Sequence, residues 1–307
     1  MTLPFPSLFV SHGSPMIALE PGETGAFLQH LGRTLAASWG RPRAVLAISA
    51  NTTARAAQLP GAPRHEAVYD FGGFPPALSA LRYDAPGDPA LAERLGQTLA
   101  LPVVEHGGLD HGIWTALRYL IPAADVPVIP LTLTPHASPA QLMALGEQLQ
   151  GLGADGVLVL GTGSITHNLR LLMRSAVTGT AAGDGVPEMP ESAAFRRWFA
   201  ERSAARDWPA LAAYRAQAPH ATLMHPTDEH LLPWYVAAGA GGRDHAPLRI
   251  HEGVTFGCLG MDAYAFGPQA GALQGALAHA DAPADAPVDA PVDAPVDAPV
   301  DAPAAAS

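Results

Sequence analysis

Short runs of Val, Ile and Leu alternate with longer helical patterns from residue 1 to about residue 267, and this alternation constrains the fold more than any other feature. Brief apolar runs read as strands buried on both faces, and the amphipathic segments between them read as covering helices. Strands are expected over Ser7–Val10, Ala44–Ser49, Val126–Thr132, Gly156–Gly161 and Val254–Leu259. Helices are expected over Gly25–Ala37, Pro89–Leu99 after an Asp88 cap, Ile113–Leu120, Pro139–Leu149 after a Ser138 cap, Ala193–Glu201, and Asp228–Ala238 after a Thr227 cap. Residues 1–267 are therefore read as a single α/β domain, with a central, largely parallel or mixed sheet flanked by helices. In such sheets ligands bind beyond the carboxyl ends of the strands, so the active site is sought there.

Residues 268–307 are read as a low-complexity tail. From Asp281 it repeats Asp-Ala-Pro-Ala/Val, and proline at every fourth position opposes both helix and sheet, which predicts disorder. The formal charge of −11 argues against a nucleic-acid backbone as partner, and six of the acids lie in this repeat, so the body is only mildly acidic. No run of ~18 uncharged apolar residues suggests a membrane span. Cys258 is the only cysteine, which excludes an internal disulfide, fits a reducing compartment and makes the cytoplasm the expected location. Nothing in the sequence fixes the oligomeric state.

Two strand ends carry histidines. Ser7–Val10 runs into Ser11-His12-Gly13-Ser14-Pro15, and Gly156–Gly161 runs into Gly163-Ser164-Ile165-Thr166-His167-Asn168. A loop histidine is either a ligand or a hydrogen-bonded surface residue. The Gly13 and Pro15 turn permits close approach at His12, and Asn168 is placed to orient His167. His230, in Pro226-Thr227-Asp228-Glu229-His230, reads as lying in the first turn of a helix, where the dipole favours a neutral ring suited to a metal or to a proton. His111 follows Asp110 at another loop-to-helix junction, and Tyr69-Asp70-Phe71-Gly72-Gly73-Phe74-Pro75 suits either a lid over an apolar ring or a packed loop. Familiar alternatives fail on spacing. His65-Glu66-Ala67-Val68-Tyr69 lacks the second zinc-protease histidine, Gly161-Thr162-Gly163 lacks the third dinucleotide glycine, and neither a phosphate loop nor a Gly-x-Ser-x-Gly elbow is present.

Taken in order, His12-Gly13-Ser14-Pro15, Asp70-Phe71-Gly72-Gly73-Phe74-Pro75, Asp110-His111-Gly112-x-Trp114, His167-Asn168-Leu169-Arg170 and Pro226-Thr227-x-Glu229-His230 resemble the DODA-type class III extradiol ring-cleavage dioxygenases, over roughly residues 5–265. The resemblance implies a non-haem metal centre, Fe(II) in catalysis with Zn(II) as another bound metal, that opens a catechol-type ring with O2 to a muconic semialdehyde. It implies metal ligands at His12, His167, His230 and Asn51, catalytic roles for His111 and His167, and substrate contacts from Phe71, Phe74 and Trp114. One departure stands out. The family has Ser-Ala-His-Trp after its second strand, whereas this chain reads Ser49-Ala50-Asn51-Thr52. A neutral amide oxygen is a weaker ligand than imidazole. The departure motivates two other readings, a catalytically impaired metal-binding relative and a zinc-dependent hydrolase or lyase.

Overall fold

A computed structural model describes residues 3–134, 136–177 and 185–279. Its centre is a six-stranded sheet made from β1 (Ser7–Ser11), β2 (Ala44–Thr53), β3 (Val128–Leu133), β4 (Val157–Gly163), β5 (Leu248–His251) and β6 (Ala263–Phe266). The spatial order is β3-β2-β4-β1-β6-β5. The first four strands are parallel, while β6 runs antiparallel to β1 and to β5. The sheet is therefore mixed, as expected from runs that are apolar on both faces. Strands β1, β3 and β4 are buried along their whole length.

The longer helices are α1 (Gly22–Ser38), α2 (Pro89–Leu99), α3 (His111–Leu120), α4 (Pro139–Glu147), α5 (Leu169–Val177), α6 (Pro190–Ala204), α7 (Leu232–Gly241) and α8 (Ala270–His279). They cover the sheet with two apolar clusters. One contains Leu28, Leu31, Trp114 and Leu117 from α1 and α3, and the other contains Leu142, Trp234, Tyr235 and Val236 from α4 and α7. Asp88 caps α2 through Leu91 N, and Ser138 with Gln141 forms a reciprocal capping box on α4.

Glycine sets the distance between α4 and α7. A Cβ at Gly239 would lie 2.1 Å from Met143 O, and one at Gly146 would lie 2.1 Å from Val236 O. Helix propensity alone favours alanine over glycine by about 1 kcal/mol. The backbone clash outweighs it, so Gly239→Ala is expected to destabilise the fold by about 1–3 kcal/mol, read from the urea midpoint. A rise in the midpoint would show that propensity governs this contact.

Three expectations need correction. Val254–Leu259 is not one strand but two short ones, Val254–Thr255 and Leu259–Gly260, paired antiparallel. Phe256 and Gly257 between them take φ of +54° and +67°, which turns the chain back. The helix expected from Asp228 begins at Leu232, with Pro233 in its first turn, and the Thr227 hydroxyl donates to Glu229 Oε1 instead of capping it. The segment assigned to the tail opens with α8, whose Ala270 and Leu273 are buried and whose Leu277 carbonyl contacts His30 Nε2 at 3.0 Å. The Asp-Ala-Pro repeat from Asp281 onward lies outside the described residues. No helix among them is long and apolar enough to cross a membrane.

Candidate metal centre

The carboxyl ends of β1, β2 and β4 converge, and the side chains beyond them form the site. Ser11 pairs in register with Gly163, and Ser49 with Thr162, so His12 leaves β1 beside Thr162 of β4. His12 Nδ1 lies 2.7 Å from Thr162 Oγ1, and that hydroxyl donates its own proton to Gly112 O at 2.8 Å. Thr162 therefore accepts from His12, which puts the ring proton on Nδ1 and leaves a lone pair on Nε2. His12 is fully buried, and burial, followed by the nearby His111, His230 and His167, lowers its pKa well below the ordinary value. It is a neutral imidazole with a fixed tautomer, as a metal ligand requires.

His111 is fixed in the same way. Its Nδ1 lies 2.9 Å from Asp70 Oδ1, which also accepts from the His111 backbone N–H at 3.1 Å. Burial raises the Asp70 pKa, but the hydrogen bonds and charge of His111 outweigh it and the net shift is downward. The N-terminus of α3 is tied to the end of β2 by Asp110, which caps Ile113 N and accepts from Ser49 Oγ at 2.7 Å and from Thr52 Oγ1. This tether brings Asn51 between the two rings. Its Nδ2 lies 3.4 Å from His12 Nε2, to whose lone pair it donates over a long contact, and 3.5 Å from His111 Nε2.

The turn before α7 brings in Glu229 and His230. Gly163 makes this possible, because a Cβ there would meet His230 O at 2.0 Å, and Ser164 N donates to the same carbonyl at 2.9 Å. The His230 ring sits 5.7 Å from that of His12 at 48°, and its Nδ1 is buried without a hydrogen bond, 3.4 Å from Glu229 Oε1. Against burial, which raises it, the His230 ring and the Thr227 hydroxyl hold the Glu229 carboxyl down to about 2. Among the described residues, His167, Glu229 and His230 bring three ligand atoms within 4.8 Å of one another.

The ring geometry separates His167 from His230. The two are stacked, with centroids 3.4 Å apart and planes inclined by 8°. An imidazole binds a metal in its own plane, ~2.1 Å from the nitrogen, so one ion does not lie in both of these nearly parallel planes. A single ion in this arrangement could lie in the plane of one ring of the pair but not of both. The planes of His12 and His230 do intersect. The residues present suit a divalent metal: the neutral His12 imidazole and the His230 ring, whose buried nitrogen lacks a hydrogen-bond partner, beside a Glu229 carboxylate that stays ionised.

Aromatic side chains form one wall. Phe71 packs edge-on against His111 at 5.8 Å and against Phe74 at 5.5 Å, and Phe74 is 37% exposed, at the mouth. Trp114, expected to touch substrate, is instead fully buried, with its indole N–H donated to Val68 O at 3.1 Å. It supports Phe71 from behind, at 6.4 Å. Asn168 also differs from expectation. Its amide nitrogen donates to Leu223 O at 2.6 Å and its oxygen accepts from Arg170 N at the start of α5, so it holds the loop and not the His167 ring.

Gly112 and Thr162 were not singled out from the sequence. A Cβ at Gly112 would meet Ser49 Oγ at 2.6 Å, His12 Cε1 at 2.8 Å and Asn51 Nδ2 at 2.9 Å. Gly112→Ala is therefore expected to displace His12 and Asn51 and to weaken divalent-metal binding by at least about tenfold, measured by chelator competition. Unchanged affinity would place the metal elsewhere. The signal for Gly112 lay in the motif Asp110-His111-Gly112, and that for Thr162 in a strand-end Gly161-Thr162-Gly163 that also resembles a failed dinucleotide loop.

A mixed α/β sheet with a cluster of histidines at its carboxyl edge defines the class, and the family follows from comparison. Residues 6–267 match the catalytic LigB subunit of aromatic ring-opening dioxygenase, and the chain belongs to that family. It is 34% identical over 266 residues to a 4,5-DOPA dioxygenase extradiol of Escherichia coli K12, covering 83% of this chain and 92% of that protein. It is 32% identical over 268 residues to a 4,5-DOPA dioxygenase extradiol of Beta vulgaris, covering 85% and 96%. An uncharacterized protein from Escherichia coli K12 of known structure superposes with a TM-score of 0.69 at 29% identity, covering 85% of this chain and 99% of that one. The family is one of oxygenases that use a non-haem metal, a small aromatic substrate and O2.

Proposed function

We propose that this chain is a metal-dependent extradiol dioxygenase that opens a catechol-type ring with O2 to a muconic semialdehyde, with Fe(II) as the working metal. The observation that carries this reading is the hydrogen-bond relay from Gly112 O through Thr162 to His12, which presents the His12 Nε2 lone pair to the space shared with Asn51, His111 and His230. His12 and His230 would hold the metal, with a third position taken by an oxygen from Asn51, after its amide turns over, or from Glu229. Two imidazoles and one oxygen donor suit Fe(II) and leave positions open. When bound, the metal supplies the electronic link between catecholate and dioxygen that organic side chains lack.

The side chains supply positioning and proton transfer. His167, stacked on His230, is kept neutral in the metal-free site by burial and then by His230 and His225, which hold its pKa down to about 2, so it would take a phenolic proton as general base only when the negative charge of the bound catecholate beside it raises its basicity. His111 Nε2 faces the same space and, protonated there in turn, donates to developing charge on oxygen, with Asp70 steadying the ring. Phe71 and Phe74 provide an apolar wall for the ring. The buried Cys258 thiol, pushed up to about 11 by burial, stays protonated and inert in a reducing cytoplasm.

Anaerobic loading with Fe(II), followed by oxygen-electrode measurements over a catechol panel, tests the proposal. Oxygen consumption with a yellow ring-opened product is expected, and an inert panel with stoichiometric iron bound would sink it. Asn51 supports a second reading, an impaired relative whose amide caps the His12 lone pair that a metal would take. Purified protein that contains no metal and takes up none would favour it.

A further inference from the structure

A second cavity, of about 410 Å³, lies at the opposite end of the sheet from the histidines. Phe5, Pro42 and Val126 line it just before β1, β2 and β3 begin, whereas His12 and Asn51 stand where β1 and β2 end. Its walls are Leu35, Leu120, Ile121, Val126 and Leu158, from α1, α3 and the strand starts. The volume is in the range of small-molecule pockets and the lining is predominantly apolar.

The rim carries an uneven charge. Arg33, Arg41 and Arg118 line it with one acid, Asp125, and that acid is paired with Arg41. Arg33 is exposed and Arg118 half-buried, and among the described residues neither forms an ion pair or a hydrogen bond. The chain has 17 basic residues and a net charge of −11, so two unpaired guanidinium groups at one apolar opening are a local reversal of the overall charge. Arginine is the side chain best matched to a carboxylate, with a planar fork of donors.

We propose that this cavity binds a small amphipathic carboxylate, with its apolar body between α1 and α3 and its carboxylate between Arg33 and Arg118. The site is separate from the metal centre, so it stands or falls independently of the ring-cleavage proposal.

Calorimetry on the full chain with octanoate and with 1-octanol tests it. Octanoate is expected to bind at one equivalent per chain, with octanol about tenfold weaker, as two partly exposed ion pairs would give. The double variant Arg33→Gln/Arg118→Gln should erase that preference while keeping the wild-type melting temperature. Ala36→Trp, which plugs the lining on α1, should abolish binding of both, and His12→Ala should leave both unchanged. Equal affinity for acid and alcohol, absence of saturable binding, binding that survives Ala36→Trp, or binding lost in His12→Ala would each overturn the proposal. So would light scattering that shows a dimer unable to bind octanoate, since this face would then belong to a second copy.

Discussion

Asn51→His is expected to raise the affinity for Fe(II) or Zn(II) by about 100-fold or more, and ring-opening activity with it. In the present chain the Asn51 amide nitrogen sits 3.4 Å from His12 Nε2, as a weak donor to its lone pair, and 3.5 Å from His111 Nε2. A metal that enters must break both contacts and accept a neutral amide oxygen in return. An imidazole at the same place repels no cation and offers a stronger nitrogen donor. Loss of a hydrogen-bond partner behind a ligand already costs about 10–100-fold in affinity, so gain of a direct ligand should reach the upper end of that range or pass it. The position is only half-buried, which leaves room for the larger ring. Competition against a chromophoric chelator measures the affinity, and the visible spectrum of the Co(II) form reports the added nitrogen independently of turnover. Identical affinity and spectra in the two proteins would mean that the metal does not use this corner, and would leave Glu229 as the third donor.

The histidines of the site were legible in the sequence because each stands just past a strand or at a loop-to-helix junction. What relates them was not. Thr162 fixes the His12 tautomer from a strand adjacent only in the folded sheet, and the stacking of His167 on His230 depends on Gly163 admitting the His230 carbonyl. The same split runs through the fold. Helix α2 was bounded correctly, since Asp88 caps its start and Ala100, at φ +52°, ends it locally. Strands β5 and β6 were missed, because each has four residues and is held by pairing with distant chain: β6 lies on β1, more than two hundred residues away. Trp114 carried a family position into a place where burial leaves it no face for substrate.

Below about pH 6.5 the metal-free protein should lose stability at about 1.4 kcal/mol per pH unit for each buried histidine that stays neutral, through His167, whose pKa is held down to about 2, and through His225 and His12. His225 and His12 are fully buried. His225 Nε2 lies 2.8 Å from Ile165 O, so it donates there, and its Nδ1 is buried without a partner. Burial lowers the His225 pKa to about 4 despite the Ile165 hydrogen bond, and burial also lowers that of His12 well below its ordinary value. The sign follows from proton counts. In the unfolded chain all three rings gain a proton near pH 6.5, whereas in the folded state they stay neutral, so the unfolded state binds more protons and acid favours it. The contribution of His225 levels off once the pH passes below about 4, because the folded ring then titrates as well. Between pH 6.5 and 4.5 His225 and His167 together remove about 4 kcal/mol, close to the entire stability of a marginal domain, and His12 adds in the same direction. Urea titrations at half-unit pH steps measure the slope. His225→Gln, which keeps a donor for Ile165 O and does not titrate, should reduce the slope by about one proton. A bound divalent metal should steepen the dependence, since protons then compete with it for His12. A flat stability profile from pH 7 to 5 would show that these rings are protonated within the fold, and a protonated His12 could not hold a metal.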